Sequence, residues 1–202
     1  LKQFPQNISR GSINSTTNAS VPETKDANSI WVFGYGSLIW NPEFPVAERR
    51  IARLADWQRS FCMWSIHHRG TEVEPGLVLA LDQAAGKFCD GVGFRVQPGA
   101  EAETLAALRA RELISSAYLE RVLPLDLAGG DRVQALAYVI DPAHVQYCGG
   151  MALAAQAQII AQAVGGRGPN RDYLYATAQH LADLGIEDPD LSWLAAEVRK
   201  IS

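Results

Sequence analysis

The sequence lacks the features that mark several common classes of protein. Its three cysteines, Cys62, Cys89 and Cys148, are too few and too widely spaced for a disulfide framework or a CxxC metal site. It has no run of Lys or Arg and its net charge is −4, so we expect no nucleic-acid partner. The least charged stretch, residues 147–166, is interrupted by glycines and glutamines, so we expect no membrane span.

The overall composition indicates one globular domain. The chain has 202 residues, of which 48% are hydrophobic and 20% are charged, enough to bury a sizeable core. Unpaired cysteines suit a reducing compartment, and the first residues lack the charged-then-apolar pattern of a signal peptide. These observations predict a cytoplasmic protein, whereas no motif fixes its oligomeric state.

Two regions of different composition divide the chain. Residues 1–29 are rich in Asn, Ser and Thr and poor in apolar side chains. Such a segment cannot bury enough surface to offset the entropy of ordering, so it is predicted to be a flexible polar tail. Residues 30–202 carry the strand and helix patterns and are predicted to form the functional domain.

The order of secondary-structure patterns predicts an α+β fold. Apolar runs bounded by turn residues predict strands near 30–38, within 49–66, and at 76–82, 88–96, 118–127 and 133–141. The intervening QAAGK is predicted to turn, so that residues 76–96 form an antiparallel hairpin. Good helix formers predict a helix over 99–115, and further helices follow from Met151. Strands first and helices last favour a mixed sheet or small barrel with flanking helices and a C-terminal helical segment.

The motif FGYGSL, residues 33–38, ends the first strand with two glycines. Glycine in a strand marks a bulge, a bend or a close approach of backbone. Successive amides at such a bend can form a nest for an anion or oxyanion, although a simple tight turn has the same spacing. Ser37 is not predicted to be a nucleophile, because G-x-S-x-G and a His–Asp partner pattern are missing.

Glu112 stands where the helix pattern calls for an apolar residue. Leu105, Leu108 and Glu112 have the spacing i, i+3, i+7, which puts the carboxyl on the apolar face. Burial there would raise its pKa toward neutrality, as a general base requires. The alternative is a partly buried structural carboxylate paired with Arg109 or Arg111.

Two further groups of side chains are interpreted as structural. Adjacent His67 and His68, followed by Arg69, would point apart on a strand, and no third ligand is spaced near them. A loop role is therefore favoured over a metal site. Tyr173 and Tyr175 in the second C-terminal helix are interpreted as packing aromatics.

Together these segments resemble the ChaC-type γ-glutamylcyclotransferases. The likeness covers roughly residues 31–190 and rests on the ordered motifs VFGYGSLIWNPEF, HRG, EPGLVLAL, DGVGFRV, RELISSAY, ALAYVIDP and GPNRDYLYATAQHLADLGI. The resemblance implies a small mixed β-barrel with flanking helices. It also implies a carbon–nitrogen lyase of the amidine-lyase class that converts glutathione into 5-oxoproline and cysteinylglycine without a metal or organic cofactor.

The resemblance also implies roles for individual residues. The family's catalytic glutamate, in an Arg-Glu pair with a tyrosine six residues on, matches Glu112 after Arg111 and before Tyr118. Its substrate-binding loop matches the consecutive residues Tyr35, Gly36, Ser37 and Leu38. The family's Tyr-Leu-Gly-Pro appears here as Tyr147-Cys148-Gly149-Gly150, which puts Tyr147 among the expected substrate-binding residues.

Two competing functions would use the same residues. One is a cyclotransferase for other γ-glutamyl amino acids or amines, and the other is a catalytically inactive module that binds γ-glutamyl groups. An acid kept on an apolar helix face favours turnover over binding alone, because a binding module would not need that carboxyl.

Overall fold

The computed structural model describes residues 29–113 and 116–201. The predicted flexible tail falls on residues 1–28, apart from Ser29, and so lies outside the described residues. In the described part the five longer strands precede the C-terminal helices, which confirms the predicted α+β order.

The chain forms seven strands, four helices and a short 3-10 turn within its described residues. The strands are β1 Trp31–Gly34, β2 Val46–Ser65, β3 Gly76–Val96, β4 Tyr118–Leu127, β5 Arg132–Ile140, β6 Val164–Gly165 and β7 Gly168–Pro169. The helices are α1 Glu101–Glu112, α2 Leu153–Gln162, α3 Asn170–Asp183 and α4 Pro189–Ile201, and the 3-10 turn is Ser37–Ile39.

Strands β1 to β5 close into a barrel in the order β1-β3-β2-β4-β5. Strand β1 pairs antiparallel with β3 and parallel with β5, so the barrel is mixed, as predicted. Its interior is filled by apolar side chains that alternate along the strands, among them Phe33, Leu54, Leu81 and Leu125.

The predicted hairpin within residues 76–96 is wrong. Strand β3 is continuous over that range and pairs antiparallel with β2 along almost its whole length. The glycine of QAAGK sits in a bulge instead of a turn, since Gly86 has φ 75° and its amide donates to Asp56 Oδ1 at 2.8 Å. The hairpin is formed by β2 and β3. A glycine with positive φ is common in both turns and bulges, and this is why the sequence pattern predicted a turn at Gly86.

The helices cover the sheet from two sides. Helices α2, α3 and α4 pack against the outer face of β2 and β3 and form the largest apolar cluster, which includes Phe61, Leu77, Ile160, Leu174 and Leu194. Helix α1 packs separately, where Leu108 joins Val32 and Val96. The first turn of α3 and the last turn of α1 are therefore fixed to the same barrel.

Asn170 attaches the start of α3 to β3. Its side chain is fully buried, its Nδ2 donates to the Leu77 carbonyl oxygen, and its Oδ1 accepts from the Leu77 amide, both at 2.7 Å. The amide side chain thus replaces a neighbouring strand and satisfies backbone groups that would otherwise be buried without partners.

Gly91 on β3 passes too close to β1 to carry a side chain. A methyl group there would overlap the Gly34 carbonyl oxygen and come within 2.8 Å of the Phe33 ring. We expect Gly91→Ala to lower the free energy of unfolding by about 1–3 kcal/mol, the usual cost of overpacking, as measured by urea denaturation. Ala85→Val, at an exposed site of the same strand, should cost less than about 0.5 kcal/mol. Equal losses in the two variants would contradict this steric reason.

Candidate active site

A cavity of about 830 Å³ opens where β1 ends. Its walls come from the loop after β1, the end of β2 with the residues that follow it, the end of α1, and α3. It is lined by every predicted site residue except Tyr147, namely Tyr35, Gly36, Ser37, Leu38, Glu112 and Tyr118. The fold therefore brings the FGYGSL loop and the helix carboxyl into one space.

Arg59 on β2 holds the FGYGSL loop from behind. Its Nε donates to the Tyr35 carbonyl oxygen at 2.6 Å, and its Nη2 donates to the Asp90 carbonyl oxygen. Its Nη1 pairs with Asp188 Oδ2 at 2.6 Å, with only 3% of the arginine side chain and 16% of the aspartate side chain exposed. One buried guanidinium thus ties the loop to β3 and to the residue just before α4.

The two glycines of the loop have different surroundings. A methyl group on Gly34 would lie 2.8 Å from the Phe94 ring, whereas one on Gly36 would lie 3.5 Å from the Tyr173 hydroxyl. Gly34 is therefore required by barrel packing, and Gly36 faces the cavity. The 3-10 turn begins directly afterwards, with the Ile39 amide donating to the Gly36 carbonyl oxygen at 2.9 Å. The first amides of such a turn have no acceptor within it.

Glu112 ends α1 with its carboxyl largely enclosed. Its side chain is 18% exposed, and Leu108 beside it on the same helix face is buried, in line with the predicted spacing. Burial raises the pKa of Glu112 above its usual 4.5, while the neighbouring Arg111 guanidinium opposes that rise. A carboxyl with a raised pKa that lines a cavity can accept a proton and return it near neutral pH.

Arg111 connects Glu112 to the FGYGSL loop. Its Nε lies 3.1 Å from Glu112 Oε1, and its Nη2 donates to Ser37 Oγ at 2.8 Å. Its Nη1 donates to Glu43 Oε2 at 2.9 Å at the exposed rim. Arg111 is thus the ionic partner that the sequence offered for Glu112, whereas Arg109 pairs with another carboxylate. The Ser37 hydroxyl has Arg111, not a base, as its neighbour.

Three tyrosines line the cavity together with Glu112. Burial raises the pKa of Tyr35 and Tyr118 well above the usual value, and it raises the pKa of Tyr173 to about 12. All three hydroxyls therefore stay protonated at neutral pH and can act as hydrogen-bond donors. The charge of Glu112 contributes to each of these shifts.

Tyr147 takes a different position from the other predicted site residues. Its hydroxyl contacts both carboxylate oxygens of Asp82, at 3.1 and 3.0 Å. Burial is the main cause that raises the pKa of Tyr147 to about 12. Its side chain therefore helps to hold the segment after β5 against the barrel, outside the cavity lining.

Tyr173 and Arg69 also line the cavity, although their sequence patterns predicted a packing role and a loop role. Helical spacing alone cannot separate a core face from a cavity face, so the packing role interpreted for Tyr173 misses its place at the cavity. Arg69 follows β2 in a loop, and its position depends on contacts with residues 166–169 that no local pattern reports.

A profile of the ChaC-like protein family matches residues 30–201. The chain belongs to the ChaC-like family. It is 36% identical over 176 residues to the glutathione-specific γ-glutamylcyclotransferase of Escherichia coli (strain K12), covering 87% of this chain and 75% of that protein. It is 35% identical over 178 residues to γ-glutamylcyclotransferase 2-1 of Arabidopsis thaliana, covering 85% of this chain and 82% of that protein.

The ChaC-like chain also shares its fold with a crystal structure of a yeast γ-glutamyl cyclotransferase specific to glutathione. The TM-score is 0.76 at 23% identity, with 85% of this chain and 96% of that chain covered. Across residues 29–113 and 116–201, no three His, Cys, Asp or Glu side chains converge as metal ligands. No helix in the same ranges is long and apolar enough to cross a membrane.

Two arginines on β2 allow the anchoring of the loop to be tested. Arg59→Gln would leave the largely buried Asp188 carboxylate without its ionic partner and two carbonyl groups without their donor, so we expect a loss of about 3–5 kcal/mol in the free energy of unfolding. Arg53→Gln removes an ion pair with Asp90 that is 52% exposed on the arginine side and should cost less than about 1 kcal/mol. Chemical denaturation of both variants measures the difference. A loss from Arg59→Gln no larger than that from Arg53→Gln would refute the anchoring role.

Proposed function

We propose that residues 30–202 form a glutathione-specific γ-glutamylcyclotransferase, which releases 5-oxoproline and cysteinylglycine. The observation that carries the proposal is that the Glu112 carboxyl and the Tyr35–Leu38 loop line the same cavity. Membership of the ChaC-like family and the names of its relatives support the substrate. The cytoplasmic location expected from the sequence stays a prediction.

The reaction needs no nucleophile from the protein. The γ-glutamyl group carries its own, the α-amine, which attacks the γ-carbonyl carbon and closes a five-membered lactam. The amide bond to cysteine breaks. The α-nitrogen loses two protons in becoming the lactam N–H: one goes to the leaving nitrogen as the bond breaks, and the other is balanced by protonation of the released amine. Because the attack is intramolecular, correct folding of the substrate supplies much of the acceleration.

The cavity provides groups for the three tasks that remain. The backbone of the FGYGSL loop approaches the γ-glutamyl group closely and donates amides to the developing oxyanion. The neutral hydroxyls of Tyr35 and Tyr118 contact the substrate, and the Tyr118 hydroxyl, which donates its proton to the Leu79 carbonyl oxygen at 3.2 Å, acts as an acceptor. Glu112 accepts the proton from the α-ammonium and then gives it to the leaving nitrogen, acting first as base and then as acid.

Glu112→Gln tests the proton transfer. The amide keeps the shape but cannot accept the proton, so we expect kcat/KM for glutathione to fall about a hundredfold or more, measured as 5-oxoproline formed. Because burial raises the pKa of Glu112, the ionised carboxyl destabilises the folded state as pH rises through that pKa. The variant should therefore be at least as stable as the parent at pH 7. A near-normal rate would exclude Glu112 as the proton carrier.

The pH dependence of the parent protein gives a second test of Glu112. Only the ionised carboxyl can act as the base, so kcat/KM should fall as pH decreases through the pKa of Glu112. Because burial raises that pKa, the acidic limb should lie above the usual 4.5 of a glutamate. The carboxyl is enclosed in the folded protein, so an acidic limb at or below pH 4.5 would contradict the assignment to Glu112.

Ser37→Ala separates substrate binding from nucleophilic attack. The Ser37 hydroxyl accepts from Arg111, so its loss should loosen the loop and reduce kcat/KM by about tenfold without abolishing turnover. Rapid quenching of the parent protein with glutathione, followed by intact-mass measurement, should show no acylated chain. An adduct of one γ-glutamyl group on Ser37 would contradict direct cyclisation.

A further inference from the structure

A pair of arginines forms a second cationic part of the cavity lining, here called the cationic end. Arg69, just after β2, and Arg167, between β6 and β7, both line the cavity, together with His67 and His68. Burial and the charge of Arg167 lower the pKa of His68 below its usual 6.5, so His68 is neutral at pH 7. The permanent positive charge of this cationic end therefore comes from the two guanidinium groups.

Backbone contacts hold the cationic end in shape. The Gly166 amide donates to the His67 carbonyl oxygen at 2.8 Å, and the Arg167 amide donates to the His68 carbonyl oxygen at 2.9 Å. A methyl group on Gly165 would overlap the backbone of His68 and Arg69. Because the two segments touch backbone to backbone, the positions of both arginines are set by the fold and not by long, free loops.

Arg69 lines the cavity, and the charge of Asp172 acts on its guanidinium without forming an ion pair with it. Its Nη1 donates to the carbonyl oxygens of Arg167 and Pro169, at 2.7 and 3.2 Å. Within residues 29–113 and 116–201, neither Arg69 nor Arg167 forms an ion pair with a carboxylate. Burial is the main cause that lowers the pKa of Arg69. A half-buried guanidinium bound only to carbonyl groups favours an incoming anion.

Tyr173 lies between the cationic end and the FGYGSL loop. The Arg69 guanidinium lies 5.4 Å from the centre of the Tyr173 ring, and the Tyr173 hydroxyl lies beside Gly36 at the loop. The charges of Glu112 and Arg69 both act on that hydroxyl. One tyrosine ring therefore separates the loop, where the γ-amide would be cleaved, from the cationic end.

We propose that Arg69, assisted by Arg167, binds the terminal carboxylate of the leaving dipeptide and so selects glutathione over shorter or uncharged γ-glutamyl compounds. This inference rests on the proposed cyclotransferase function. Two extended residues span about 7 Å, which matches a leaving group that reaches past one tyrosine ring. A carboxylate and a guanidinium can form two parallel hydrogen bonds, which gives direction as well as attraction.

The other carboxylate of glutathione, on the γ-glutamyl α-carbon, fits this end less well. That carboxylate must stay beside the reacting amine, next to Glu112 and the FGYGSL loop. Arg111 already lies there, 2.8 Å from Ser37 Oγ. A substrate altered at only one of its two carboxylates can therefore distinguish a role of Arg69 at the leaving group from a role at the γ-glutamyl group.

The test compares glutathione with its analogue in which the glycine carboxylate is a primary amide. We expect the parent protein to favour glutathione by about ten- to a hundredfold in kcat/KM, the range for a hydrogen bond to a charged group. Arg69→Gln should lose this preference, mainly through a higher KM for glutathione, while its rate with the amide stays near that of the parent. Arg167→Gln should do the same to a smaller extent, because Arg167 is more exposed.

Arg49→Gln is the matched control, since Arg49 is an exposed arginine of β2 outside the cavity lining. It should keep the full preference. Equal losses on both substrates in Arg69→Gln would overturn the inference and would mean a structural role or contact with the other carboxylate. A parent protein that does not discriminate would overturn it as well. If the parent protein forms no 5-oxoproline from either compound, the proposed function fails first. If Arg69→Gln does not fold, Arg167→Gln tests the inference instead, and full retention of the preference for glutathione in that variant would overturn it.

Discussion

The site depends on one buried interaction, the contact of the Arg59 guanidinium with the backbone of Tyr35 and Asp90 and with the Asp188 carboxylate. Enclosing a charge of this kind is favourable only when nearly every donor finds an acceptor. Here the acceptors lie on three separate parts of the chain. The guanidinium therefore forms its full set of bonds only when the barrel, the FGYGSL loop and α4 have all come together.

This constraint explains how a short loop that borders the cavity keeps one conformation. A bend of glycines has little side-chain packing of its own and loses much backbone entropy on ordering. Arg59 binds the loop through the Tyr35 carbonyl oxygen, on the side of the loop that faces away from the cavity. The opposite side of the loop lines the cavity. Arg111 fixes the same loop from the front through the Ser37 hydroxyl. The loop is thus held between two arginines, one buried behind it and one within the cavity.

Local patterns predicted some parts of this site and not others. Glu112 could be found because helical periodicity is a property of neighbouring residues and an acid on an apolar face breaks it. The barrel strands could be found in the same way. The bulge at Gly86 could not, since a bulge exists only relative to a partner strand. Tyr173 reaches the cavity because Asn170 binds Leu77 across 93 positions of sequence, and no local spacing reports that contact.

The charges in the cavity follow from the same arrangement. Burial makes ionisation of Glu112 less favourable, while Arg111 beside it makes ionisation more favourable, and burial is the larger influence. A carboxyl that was fully paired would be too weak a base, and one without any partner would stay protonated at neutral pH. Arg111 has other acceptors in Glu43, Asn41 and Ser37, so its attraction for Glu112 is shared among them. This division of one guanidinium among several oxygens is what leaves the carboxyl both ionisable and basic.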